Sequence, residues 1–122
     1  MSASPSPVSK LFGEKSEVRY EAFLEQALAE SQVWVLRDDE GCLIVNAGNE
    51  ECLPVWPTED AAKACAISDW KGLVPLSISL ADWVEKWLPG MEKDDRVVAV
   101  FPNLAGESLV VAPSELLAEL EA

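Results

Sequence analysis

Leu53-Pro54-Val55-Trp56-Pro57-Thr58-Glu59-Asp60-Ala61-Ala62 places an apolar strand, a stop, a cap and a helix start in one short stretch. Pro57 cannot donate to a strand ladder and holds Trp56 in extended geometry, so the strand ends there. Thr58 is a good N-cap, and Glu59 and Asp60 put carboxylates at the positive end of a helix dipole ahead of an alanine-rich run. Pro54 lies inside the strand, where its missing N–H predicts an edge strand or a bulge. Trp56 is large enough to anchor whatever packs across the junction and reads as core.

Toward the N-terminus, residues 16–31 carry Tyr20, Phe23, Leu24, Ala27 and Leu28 at spacings of three and four, with Glu17, Glu21 and Glu25 opposite them. That period is an amphipathic helix. Residues 33–36 and 43–45 are β-rich and flank Arg37-Asp38-Asp39-Glu40-Gly41, whose glycine can supply the positive φ of a hairpin loop. Residues 46–51 read as a second polar turn, so three strands form a meander. Residues 1–15, with Pro5 and Pro7 and a Leu11-Phe12 pair able to dock, read as a mobile Ser/Pro-rich tail.

Toward the C-terminus, residues 61–67 form a short helix of small residues ending near Ser68-Asp69. Gly72 and Pro75 then mark a loop entering an extended piece at residues 76–78. Ser79 caps the next helix, with Asp82 in the capping-box position. Its apolar stripe is Leu80, Trp83, Val84, Trp87 and Leu88, and Pro89-Gly90 is expected to stop it. Residues 96–101 and 108–111 read as a second hairpin buried on both faces, and Pro113-Ser114 opens a last helix with Leu116, Leu117 and Leu120 inward. Short turns between successive strands predict an α+β fold, a largely antiparallel sheet of about five strands with three to four helices packed on it. A single domain spans residues 16–122.

Composition bounds the function. The 122 residues hold 22 acidic and 9 basic side chains, a net charge of −13, which disfavours nucleic acid and anionic membrane as partners because both are polyanions. A basic protein is the charge-compatible partner. Cys42, Cys52 and Cys65 are an odd number at spacings that match no metal or redox motif, and they read as small buried thiols in a reducing cytoplasm. Residues 1–10 lack the apolar core of a signal peptide, and no run approaches a membrane span.

Several landmarks point to a family. They are Val33-Trp34-Val35-Leu36, Gly41, Leu53-Pro54-Val55-Trp56-Pro57, Ala61 and Trp70, the helix opening at Ser79-Leu80 and ending in Trp87-Leu88-Pro89, and Val98-Ala99-Val100-Phe101-Pro102. This set resembles the small bacterial family called domain of unknown function 2750, over residues 20–120. The resemblance implies a compact, stand-alone bacterial α+β domain and brings no catalytic residues with it. The stretch before Ser16 has no counterpart in it.

The chain has no histidine, which removes Ser-His-Asp and Cys-His catalysis and the commonest metal ligand. The acidic pairs Asp38-Asp39, Glu50-Glu51, Glu59-Asp60 and Asp94-Asp95 fall in turns and helix starts, where solvation and capping explain them without catalysis. No phosphate-binding glycine motif and no spaced calcium loop occurs, so no cofactor or metal is implied. What is left is surface character. Between residues 31 and 62 seven acids face Arg37 alone. The first expectation is therefore a non-enzymatic interaction module, immunity- or antitoxin-like. In it Asp38, Asp39, Glu40, Glu50 and Glu51 steer a basic partner and an exposed Trp70 anchors it. The alternative is a small-molecule-binding regulatory domain with a pocket between the sheet and the Trp83/Trp87 helix.

Overall fold

The computed structural model describes residues 12–47, 49–67, 70–104 and 107–121. In chain order these form α1 (Ser16–Glu30), β1 (Gln32–Asp38), β2 (Gly41–Cys42), β3 (Val45–Ala47), β4 (Glu50–Val55), α2 (Glu59–Ala64) and β5 (Val74–Ser79). A helix then runs unbroken over residues 80–93 as α3 (Leu80–Asp82), one π turn (Trp83–Trp87) and α4 (Leu88–Lys93). The chain continues through β6 (Val97–Val100) and β7 (Leu109–Val111) to α5 (Pro113–Glu121). The class is α+β, as expected, but the strands divide into two sheets, β2-β1-β5 and β3-β4-β6-β7.

The two sheets meet at a tryptophan corner. Trp34 and Trp56 exchange both backbone hydrogen bonds, at 2.9 and 2.8 Å, so β1 hands over to the end of β4. Four strand pairs are antiparallel, while β4 and β6 run parallel in the register Cys52 to Val97 through Val55 to Val100. A parallel pair needs a long crossover, and here it is supplied by α2, β5 and the 80–93 helix.

Pro54 corrects the expectation of an edge strand or a bulge. It is buried in β4, an interior strand flanked by β3 and β6. Trp56 turns its N–H and C=O toward β1, and alternate residues of a strand face the same edge, so Pro54 directs its nitrogen to that side too. There β3 pairs only with Glu50, Glu51 and Cys52, and the gap before Trp56 asks for no N–H. On the opposite edge the Phe101 N–H donates to the Val55 carbonyl at 2.7 Å.

The caps form as read. Thr58 Oγ1 accepts from the Ala61 N–H at 3.2 Å, and Ser79 Oγ accepts from the Asp82 N–H at 3.1 Å. The helix after Thr58 closes early, at Cys65, and Ser68 and Asp69 lie outside the described residues. Gly41 takes φ +146° in the first hairpin. Pro89-Gly90 does not stop its helix. The ring of Pro89 would press on the carbonyl four residues back and offers that carbonyl no donor. The π turn widens the helix just ahead of it, with the Leu88 N–H reaching the Trp83 carbonyl, and α4 continues to Lys93.

The face that α1 buries is rotated from the expected one. Arg19, Phe23 and Ala27 are fully buried, whereas Tyr20 and Leu24 are half-buried and Leu28 is 46% exposed. Arg19, only 1% exposed, is a brace. Its Nε donates to the Phe101 carbonyl at 2.8 Å, Nη1 to the Glu14 carbonyl, and Nη2 to the Glu107 carbonyl at 2.7 Å and Ser16 Oγ at 3.1 Å. Burial lowers its pKa, and the charge of Glu107 opposes that shift. Phe101, a non-glycine residue at φ +53°, is thus clamped through both its N–H and its C=O. Residues 1–11 of the expected tail lie outside the described residues, whereas Phe12 packs edge-on against Phe101 with ring centroids 5.7 Å apart.

Candidate functional site

The first hairpin turn is held by its own acid. Asp38 Oδ1 accepts from the Glu40 N–H at 2.8 Å and the Gly41 N–H at 3.1 Å, and Arg37 Nε donates to the Asp38 carbonyl at 3.2 Å. Asp38 therefore shapes the turn. With the turn fixed, Glu40, Gly41 and Cys42 line one side of a cavity of about 290 Å³, joined by Ile44 and by Leu53 of β4. Trp87 and Met91 line it from the 80–93 helix, and the partly exposed Arg96 completes the lining. Trp87 comes from the π turn and Met91 from α4, so the helix that runs past Pro89 is what closes the cavity.

Arg96 ties in the second acidic turn. Its Nε donates to Glu51 Oε1 at 3.0 Å, and its Nη1 lies 3.8 Å from Asp94 Oδ2. These pairs are exposed and each is worth only about 0–1 kcal/mol, so their significance is placement more than stability. Glu40 and Glu51, distant in sequence, are brought to one margin. Glu40 has no ion-pair partner among the described residues. Asp39 and Glu50 are exposed on the same two turns, outside the cavity lining. Glu59 and Asp60 are exposed in the first turn of α2 and line no part of it.

Trp70 does not stand free as an exposed anchor. It is half-buried, its ring edge-on to Trp56 with centroids 6.1 Å apart, and it does not line the cavity. Trp83 is fully buried beside Trp87, ring centroids 6.2 Å apart, so of the two tryptophans on that helix it is Trp87 that the cavity presents. Sequence reasoning missed Met91, because the helix was ended at Pro89, and Arg96, whose partner Glu51 is 45 residues away in the chain. The available signal was Met91, which falls four residues after Trp87 and three after Leu88, continuing the stripe beyond the proline.

Two of the thiols are held toward the protonated form. Burial pushes the Cys42 thiol up against the pull of Arg37, and pushes Cys65 up to about 11. The Cys65 S–H donates to the Pro102 carbonyl at 3.4 Å, which the Trp56 indole N–H also reaches at 3.2 Å. No set of three or more cysteine, aspartate or glutamate side chains among the described residues is placed to hold a metal ion. No helix among them is long and apolar enough to cross a membrane. A second, larger concavity of about 680 Å³ opens beside Arg19, between Lys15, Ser16, Asn103 and Ser108, but the guanidinium is already engaged by four acceptors of the chain itself.

A search of curated proteins finds no match. The profile of one family matches residues 20–120 of the 122, a span that contains all of the tryptophan and proline landmarks, which run from Val33 to Pro102. The chain therefore belongs to the family described as Protein of unknown function (DUF2750).

Proposed function

We propose that the protein is a non-catalytic interaction module of the bacterial cytoplasm that holds a basic protein partner over the cavity between the first hairpin, β4 and the Trp87–Met91 wall. An immunity- or antitoxin-like inhibitor is the concrete form of this reading. The observation that carries it is the convergence of two acidic turns on one apolar-floored cavity, with Glu40 lining it and Glu51 bound to Arg96 at its margin. A net charge of −13 adds long-range attraction for a cationic surface. The raised thiol pKa values support a role without nucleophilic chemistry, and Cys42 and Cys65 as free thiols suit a reducing compartment.

Reversing Asp39, Glu40, Glu50 and Glu51 together to lysine, while leaving Asp38 to hold the turn, tests the reading. The association rate with the partner at low salt falls by about tenfold or more if the acidic turns steer it. An unchanged rate would remove the basis for the proposal. A second reading, a small-molecule regulatory domain, is favoured by the aromatic and thioether wall of Trp87 and Met91. It predicts a saturable change in tryptophan fluorescence with a metabolite, insensitive to salt.

A further inference from the structure

We infer that the occupant of the cavity is a single arginine side chain projected by the partner. This deepens the interaction reading and rests on it. Size argues first. Pockets for drug-sized ligands run from about 300 to 1,000 Å³, and the cavity, at about 290 Å³, stands at the lower end of that range, with room for one long side chain. The lining argues second. Ile44, Leu53 and Met91 offer apolar surface to a methylene stem, and Trp87 offers the aromatic ring on which a guanidinium stacks.

Charge argues third. Glu40 lines the cavity with no ion-pair partner among the described residues, so its carboxylate is available to a planar fork of donors. The chain's own Arg96 does not compete for it, being held between Glu51 and Asp94 on the margin. Glu40, Glu51 and Asp94 outnumber the two nearby cations, Arg96 and the Arg37 whose charge reaches Cys42 in the lining, which leaves the mouth net negative. Lysine shares the charge of arginine but lacks the flat face and the fork, and a neutral side chain of equal length lacks both.

Uniformly ¹⁵N-labelled protein is titrated with Nα-acetyl-arginine amide, Nα-acetyl-lysine amide and Nα-acetyl-norleucine amide, reading the Trp87 indole N–H and the Cys42 and Ile44 amides. The arginine amide is expected to shift these signals saturably, the lysine amide at least fivefold more weakly, and the norleucine amide not at all. Glu40→Gln, an exposed change that leaves the fold intact, removes the arginine response. Equal shifts from norleucine amide, shifts spread over the exposed acids with none at Trp87, or an undiminished response in Glu40→Gln would overturn the inference. The interaction reading is judged separately by the charge-reversal experiment, since an acidic margin can hold a basic surface with nothing in the cavity.

Discussion

Replacing Arg19 with methionine keeps the apolar stem and removes the guanidinium that joins α1, residues 14–16 and the segment from Phe101 to Glu107. Four hydrogen bonds are lost, to the carbonyls of Phe101, Glu14 and Glu107 and to Ser16 Oγ. The Phe101 carbonyl is buried and is left without its donor, at about 1–3 kcal/mol for a buried unsatisfied group. The other three acceptors are part-buried and regain water in part. With the relief of the buried charge set against the part-buried acceptors, the sum is about 1–3 kcal/mol, a sizeable share of the roughly 5–15 kcal/mol that stabilises an ordinary domain. The added strain falls on Phe101, whose positive φ is held by Arg19 on its C=O and by Val55 on its N–H. Urea denaturation followed by tryptophan fluorescence reads the loss as a drop in midpoint at constant slope. Arg19→Lys, which keeps the charge without the planar fork, recovers less than half of it. A loss below about 1 kcal/mol for Arg19→Met would refute the bracing role, because even one buried orphaned carbonyl exceeds that.

Two further outcomes follow from local geometry. Thr58→Ala removes the acceptor of the Ala61 N–H and lowers stability by about 1 kcal/mol in the same urea assay, whereas Thr58→Ser retains most of it. Cys65, whose thiol is pushed up from 9.0 to about 11 by burial, keeps in the folded chain a proton that the unfolded chain gives up. Its contribution is complete below pH 9 and is lost as the pH rises through 11, about 2–3 kcal/mol in all. Comparing wild type with Cys65→Ala over that window isolates it, and parallel pH profiles would show that burial of Cys65 carries no such linkage.

The parts of the fold written in local chemistry were legible. Thr58 and Ser79 cap as read, Gly41 takes the predicted positive φ, and Leu116 and Leu120 face inward. What depended on distant partners was not. Nothing in residues 50–55 says that their strand will lie parallel to residues 97–100, and the tolerance of Pro54 depends on where β3 happens to stop. Arg19 stands four residues before Phe23, squarely in the buried stripe, yet a charge there reads as solvent-facing until the carbonyls it meets are known. Pro89 misled because a single π turn ahead of it lets the helix pass. The candidate site was legible in half. Glu40 and Glu51 were flagged by charge and Trp87 by periodicity, but their meeting around one cavity needed the crossover that closes the 80–93 helix over β4.

The most direct test of the acidic cavity as a docking site is affinity capture from a lysate of the organism that encodes the protein, at low and high salt. Wild type is set beside the variant with Asp39, Glu40, Glu50 and Glu51 changed to lysine, and mass spectrometry identifies what is held. The account predicts a near-stoichiometric basic protein retained by wild type at low salt, released at high salt as the surface charges are screened, and absent from the variant. Equal retention by the variant, or no basic protein on wild type at either salt, would contradict it.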